Sequence, residues 1–319
     1  MRVQCENKIK TYVLPFLSVG KRGKRSNICL VKVFLLILKR LKTGTQWREL
    51  STREYFDETV PWQTIYYYFN KWSKDGSFLI VWKQLLMMNK NMLDLSTAQF
   101  DGSHTPCKRG GESVGYQGRK SCKTTNSLIL CDNNGLPIVI GKPQCGNHND
   151  LYNINKIFDE MIKFLEEATI NPEGIFMNAD AGFDSENFKK NCDSKGIELN
   201  VKENPRGKKR AKLTTPFFDN LLYDDNRYKI ERTNAWMDAY KGILIRFEKL
   251  TITWWNMLWL SVIAIFLKKL NVKQLQYFAS SLPIVSSNTL LILDIFSAAE
   301  LLNALTISSI LPFISASIP

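Results

Sequence analysis

The chain reads as a small, basic all-α segment of helix-turn-helix-like outline, followed by an α/β domain in which helices flank a mixed sheet. Three observations predict this. Up to Leu95 the apolar residues recur with helical spacing amid a basic excess. After Ser96 short apolar runs alternate with helical stretches in the order βββαβαβ. Long helical patterns then close the domain. The expected boundaries are 1–95 for the basic helical segment, 96–272 for the α/β domain and 273–319 for an apolar tail.

The elements follow in order. The preface GKRGKR (20–25) leads to a helix over 26–44, with Ser26 or Asn27 as its cap and Gly44 as its stop. TQWREL adds a short helical turn. Pro61 opens PWQTIYYYFNKWSKDG, Gly76 ends it, and a further apolar helix runs to about Leu95. Such short basic helices suit a DNA-binding module, although small helical domains in general share the outline. Trp47, Trp62, Trp72 and Tyr66–Tyr68 are expected in its core rather than stacked on bases. Next, AQFDG (98–102), SLILCD (127–132) and LPIVIG (136–141) read as strands, the last two joined by the Asn-Gly turn at 133–135. A helix over 150–168 is expected to be capped by Asp150. Strand 174–180, helix 185–196 capped by Asp184, and strand 197–201 complete the alternation. PRGKKRAK (205–212) is an exposed basic loop. Long helices are expected from about Arg227 to Leu270, and over 226–250 the core face is formed by Trp236, Tyr240, Ile243, Leu244 and Phe247.

Composition narrows the function. The chain has 319 residues, 45% of them hydrophobic, and a net charge of +13, so a core and a polyanionic partner are both expected. The first fifty residues carry twelve Lys or Arg against Glu6 and Glu49, which favours nucleic acid. The seven cysteines are scattered without a CxxC pair, which fits a reducing cytoplasm. The N-terminus shows no signal-peptide pattern. ITWWNMLWLSVIAIFL (252–267) reads as a buried core helix rather than a membrane span. GYQGRKS (115–121) does not meet the phosphate-loop pattern, which excludes that route to an NTPase.

The informative residues are carboxylates. Asp101 closes the first strand of the α/β domain and Asp180 closes a later one. Acidic side chains at the ends of strands in one sheet can converge on a hard divalent ion. A third ligand would come from the helix after Arg227. There Glu231 lies on a polar stripe with Arg227, Asn234 and Asp238; Asp238 is a rival ligand, and an exposed Arg227–Glu231 pair is the plainer reading. His104 is read as a hydrogen-bonded turn residue, and His148 as shaping the turn before Asp150.

FDGSHT, NADAGFDS and IERTNAWMDAYKGILIRFEK resemble the three catalytic blocks of the DDE transposases of bacterial insertion sequences, of the IS4/IS5 type. In the last block Glu231-Arg232-Thr233, Trp236, Lys241 and Arg246-Phe247-Glu248 carry the likeness. KTGTQWREL, PWQTIYYYFNKW and PRGKK match the family's earlier signatures, so the resemblance covers about residues 14–270. Ala181 and Asp238 stand where the family often has basic residues.

The resemblance implies an RNase H-like fold and a catalytic, metal-binding triad of Asp101, Asp180 and Glu231. It implies two Mg²⁺ ions, with Mn²⁺ able to substitute, and a transposase that cleaves element ends and transfers the strand to target DNA. Its partners would be double-stranded DNA, as terminal inverted repeats and target, and a second copy in synapsis. The place of action would be the bacterial cytoplasm, at the nucleoid, with no membrane. Candidate DNA contacts are Lys21, Arg22, Lys24, Arg25, Lys108, Arg109, Arg119, Lys120, Arg206, Lys208, Lys209, Arg210, Arg227 and Lys241. The alternatives are an inactive or domesticated DNA-binding derivative and a metal-dependent nuclease without strand transfer.

Overall fold

The computed structural model describes residues 2–20, 27–204 and 218–270. Lys21, Arg22, Lys24, Arg25, Arg206, Lys208, Lys209, Arg210 and the tail 273–319 lie outside the described residues. Four helices open the chain: α1 (Arg2–Tyr12), α2 (Leu30–Thr43), α3 (Trp62–Lys74) and α4 (Ser77–Met88). Gly44 ends α2 as expected. Its φ of 70° is left-handed, and its N–H reaches the Arg40 carbonyl at 2.9 Å. The helix starts at Leu30, later than the Ser26 or Asn27 cap predicts. Cys29 stands at its cap without a side-chain hydrogen bond, and the apolar face of Val33, Phe34, Leu36, Ile37 and Leu41, all fully buried, holds it instead. Gly76, at φ 78°, separates α3 from α4. Trp72 is fully buried with Nε1 on the Ser18 carbonyl at 3.0 Å, and Trp47 packs on Tyr66 and Phe69. Trp72 is core, as expected; Trp47, Trp62, Tyr66 and Tyr68 are half-buried, and Tyr67 on the outer face of α3 is exposed.

The sheet is built on β1 (Thr97–Pro106), β2 (Gly115–Gln117), β3 (Cys122–Asp132), β4 (Pro137–Ile140), β5 (Gln144–Cys145), β6 (Phe176–Ala179) and β7 (Glu198–Val201). Its order is β2-β3-β1-β6-β7, with β4 and β5 also paired to β3. β1 runs antiparallel to β3 and parallel to β6, and β6 runs parallel to β7. The expected mixed sheet is present; β2 and β5 are too short for a periodicity signal. The Asn-Gly turn at 133–135 joins β3 to β4 as expected. The buried Asp132 accepts the N–H groups of Asn134 (3.0 Å) and Leu136 (2.7 Å) and holds it.

Helices α5 (Ile154–Glu167), α6 (Glu186–Asp193), α7 (Asn220–Asp238), α8 (Lys241–Leu244) and α9 (Thr251–Lys269) complete the chain. Two expected caps are corrected. Asp150 lies before α5, whose cap position is Asn153, and Asp150 accepts from Asn126 Nδ2 at 2.7 Å. Asp184 pairs with Lys189 Nζ at 2.7 Å and accepts the Asn204 N–H at 2.9 Å, while Ser185 occupies the cap position of α6. Asp150 is thus held by the sheet, and Asp184 by a lysine of α6 itself and by the backbone after β7.

The long helices expected up to Leu270 are present, but the stretch 226–250 is not one continuous helix. α7 ends at Asp238, and its buried stripe is Asn226, Ile230, Thr233 and Met237. Two of those four are polar, which apolar spacing alone does not find; of the expected core face Tyr240 and Ile243 are buried, Trp236 is half-buried, and Leu244 and Phe247 are exposed. Thr233 is satisfied by the carbonyls of Gly135 (2.6 Å) and Lys229 (2.9 Å). Gly242 then packs so closely on α2 that a Cβ there would lie 2.7 Å from the Leu41 carbonyl oxygen. Beyond it the chain runs extended, and the Arg246 N–H binds the Pro106 carbonyl at 2.8 Å.

Among the described residues, α9 is the one helix long and apolar enough to cross a membrane. Trp254, Trp259, Val262 and Phe266 are fully enclosed, as expected of a core helix. α9 packs on α3, α4, α7 and β4, so the opening helices and the sheet share it. Residues up to Leu270 form one unit.

Candidate active site

Register places the two aspartates together. Phe100 of β1 pairs with Ala179 of β6 on adjacent parallel strands, so Asp101 and Asp180 are the next residues along each. Their Oδ2 atoms face one nitrogen: Arg227 Nη2 stands 3.0 Å from Asp180 and 3.6 Å from Asp101. Their Oδ1 atoms have other partners. Asp101 Oδ1 accepts the Gly102 N–H at 2.8 Å, and Asp180 Oδ1 accepts the Tyr223 hydroxyl at 2.8 Å.

Charge in this site is costly. Burial pushes the Asp101 carboxyl up to about 6; Arg227 opposes the shift, and Asp180 and then Asp150 add to it. The Tyr223 hydroxyl is pushed up to about 12, by burial first and then by its bond to Asp180.

α7 reaches the aspartates because its first turn is tied to the sheet. Asn200 Nδ2 donates to Asn178 Oδ1 (2.7 Å) and to the Asp219 carbonyl (3.0 Å), and Asn200 Oδ1 accepts the Asp219 N–H (2.9 Å). Asn178 Nδ2 donates to the Leu222 carbonyl at 3.3 Å, and Asp219 Oδ1 caps the helix through the Leu222 N–H at 2.9 Å. Asn178, the first residue of NADAGFDS, is therefore a positioning residue. Asn178→Ala is expected to cost about 2 kcal/mol, because it leaves Asn200 buried with a lost partner. Denaturant titration would measure that loss, and DNA cleavage should fall with it although both aspartates remain.

The remaining expected site residues are dispersed. Glu231 lies one turn beyond Arg227 on α7, exposed and without a hydrogen-bond or ion-pair partner among the described residues. The plain Arg227–Glu231 pair does not form; Arg227 turns to the aspartates. Among the described residues no group of three or more His, Cys, Asp or Glu is close enough to hold a metal ion. Asp238 lines a narrow cleft with Asn234, Ser103 and Thr105; burial raises its carboxyl, and the Lys120 ammonium opposes this. His104 is on β1 rather than in a turn. Its Nδ1 meets Thr124 Oγ1 at 3.2 Å, and its Nε2 stands 3.9 Å from Asp150. His148 stacks on Tyr152 at 3.5 Å between centroids.

Of the candidate DNA contacts, Lys108, Arg109, Arg119, Lys120 and Lys241 are exposed. Lys120 Nζ holds the His104 carbonyl at 2.9 Å, which places it beside the outer half of β1. Arg109 lies over the Phe247 ring. Sequence reasoning missed Tyr223 and Asp150 as neighbours of the site. Asp150 packs against Gly102 so tightly that a Cβ there would lie 2.2 Å from its Oδ1. The only signal was the glycine after Asp101.

Residues 100–236, which span both aspartates and Glu231, match the family model "DDE superfamily endonuclease". Residues 8–84 match the model "Putative transposase of IS4/5 family". The two matches are consistent with a DDE transposase of the IS4/5 type, and the function they support is that of a transposase. The sheet of this transposase, a three-stranded antiparallel meander continued by two parallel strands, is RNase H-like. A solved piggyBac transposase synaptic complex with hairpin DNA is similar at a TM-score of 0.42 and 10% identity, over 90% of this chain and 87% of that one. No curated protein matches this transposase. As a DDE endonuclease of a transposase family it acts on DNA, and such endonucleases generally use divalent metal ions.

Proposed function

We propose that this transposase cleaves DNA at the terminal inverted repeats of its element and joins the freed ends to target DNA, with Asp101, Asp180 and Glu231 as its catalytic carboxylates. The observation that carries this reading is the convergence of two carboxylate oxygens, from neighbouring parallel strands, on one cationic nitrogen. Such an arrangement suits a cation, and an all-oxygen donor set favours Mg²⁺ or Mn²⁺ over softer metals. When bound, two such ions supply the Lewis acidity that polarises a phosphodiester and lowers the pKa of a bound water.

The chain's own residues do the rest. The Gly102 N–H and the Tyr223 hydroxyl orient the aspartates through Oδ1. Glu231, on the same helix as Tyr223 and Arg227, would be the third carboxylate of the set. Lys108, Arg109, Arg119, Lys120 and Lys241 hold phosphates, and losing one weakens binding across sequences alike. Hydrolysis frees a 3′-hydroxyl. That hydroxyl then attacks a target phosphodiester, one P–O bond forming as another breaks. Synapsis of two ends calls for a homodimer, and the substrate places the reaction at the bacterial nucleoid, in the cytoplasm.

The test uses purified protein, Mg²⁺ or Mn²⁺, and DNA bearing the element's ends. Joined products support the reading. Cuts without joining point to a nuclease, and binding alone points to a non-catalytic derivative.

A further inference from the structure

All four oxygens of Asp101 and Asp180 are engaged, but not by equivalent partners. The Oδ1 atoms are held by the Gly102 N–H and the Tyr223 hydroxyl at 2.8 Å each. The Oδ2 atoms share Arg227 Nη2, within hydrogen-bond reach of Asp180 at 3.0 Å and beyond it for Asp101 at 3.6 Å. We propose that Arg227 is a resident counter-ion, holding the aspartate pair until a divalent cation takes the position of its Nη2 and releases the guanidinium toward the DNA strand. This rests on the metal-binding reading above and concerns what must leave before the metal enters.

Three features support exchange over a permanent bridge. First, the contact is weak for an arginine. A structural pair is typically bidentate, with two parallel bonds to one carboxylate, whereas here one nitrogen is divided between two acids and the side chain stays 23% exposed. Second, charge favours the exchange. One guanidinium leaves the two carboxylates with a net charge of −1 in a partly enclosed site; a divalent ion brings the pair to neutrality. Third, the exchange needs no other contact to break. The Oδ1 partners stay in place while the Oδ2 atoms close on the ion, from 3.0 Å for Asp180 and 3.6 Å for Asp101 to the ~2.1 Å of a magnesium–oxygen bond. Arg227, on a helix tied to the sheet at its first turn, can swing outward without moving the backbone.

The experiment measures Mn²⁺ binding to the full chain without DNA, by calorimetry, alongside thermal unfolding with and without Mn²⁺. Arg227→Gln is expected to bind Mn²⁺ on the order of tenfold more tightly, because the competing closed state is removed. Its unfolding midpoint should be low without metal and rise further on Mn²⁺ addition than that of the unaltered chain. Asp180→Asn should abolish the binding in either background. Equal or weaker binding by Arg227→Gln, with the unaltered chain binding normally, overturns the exchange and leaves the metal reading standing. No Mn²⁺ binding by either protein overturns both. If Arg227→Gln does not fold, Arg227→Lys takes its place: its shorter reach should still tighten Mn²⁺ binding, and unchanged affinity overturns the proposal.

Discussion

Asp101→Asn is expected to lower DNA-end cleavage by about 10³-fold or more and, in the same protein, to raise thermal stability at neutral pH. The first effect follows from losing one anionic ligand, since metal-centred charge stabilisation is worth several kcal/mol. The second follows from where Asp101 sits. Burial lifts its carboxyl from 3.8 to about 6, so the fold disfavours the ionised form. Stability from this group is therefore fully present below about pH 4 and is lost as pH rises through about 6. The amide has no proton to lose and keeps that stability above pH 6, a gain of about 3 kcal/mol in metal-free protein. Melting curves in chelator at pH 4 and pH 7.5 measure it: the gain should appear at the higher pH and vanish at the lower. A variant that still cleaves would remove Asp101 from the chemistry. A variant that loses stability at pH 7.5 would show that Arg227 outweighs burial.

Glu248→Ala is expected to be the most damaging change to the fold outside the site. Arg40 of α2 is buried, and its Nη2 pairs with Glu248 Oε1 at 3.2 Å, where the Trp47 indole N–H also donates at 3.3 Å. Burial already lowers the pKa of the Arg40 guanidinium. Removing its partner strands a buried charge, at a cost of about 3–5 kcal/mol. The paired change Arg40→Met with Glu248→Leu should recover most of that loss, because two apolar groups leave no unpaired charge. Denaturant midpoints of the single and double variants decide this; a double variant as unstable as the single would mean that shape rather than charge holds this junction.

Arg246, two residues earlier, is also fully buried. Its guanidinium gathers Thr125 Oγ1 (2.5 Å) and the carbonyls of Glu248 (2.8 Å) and Lys249 (3.2 Å). The Arg-aromatic-Glu ending therefore ties the chain after α8 to the sheet and to α2. Its middle residue, Phe247, is exposed, which explains how a motif with two charged residues can serve the core.

Much of this was legible in the primary structure. Gly44 and Gly76 punctuate helices because few other residues take a left-handed φ without strain. The Asn-Gly turn and the strand–helix alternation define the mixed sheet, and a helix as apolar as α9 has to be enclosed. Asp101 and Asp180 stood out as charges closing apolar runs. What local pattern could not supply was partnership. Asp150 and Asp184 read as caps and found Asn126 and Lys189 instead. Arg227 read as the partner of Glu231 and went to the aspartates. Two members of the buried stripe of α7 were missed because polar Asn226 and Thr233 are buried where carbonyls wait for them.

The order of elements, their punctuation and the identity of the acids are properties of the linear chain, set by residue conformational preference and by the spacing of apolar side chains. The register that makes Asp101 and Asp180 neighbours, and the anchoring of α7 that brings Tyr223 and Arg227 to them, belong to the tertiary structure alone. The reason is that strand pairing and the desolvation of charge depend on groups dozens of residues away, and no local window holds both members of such a pair.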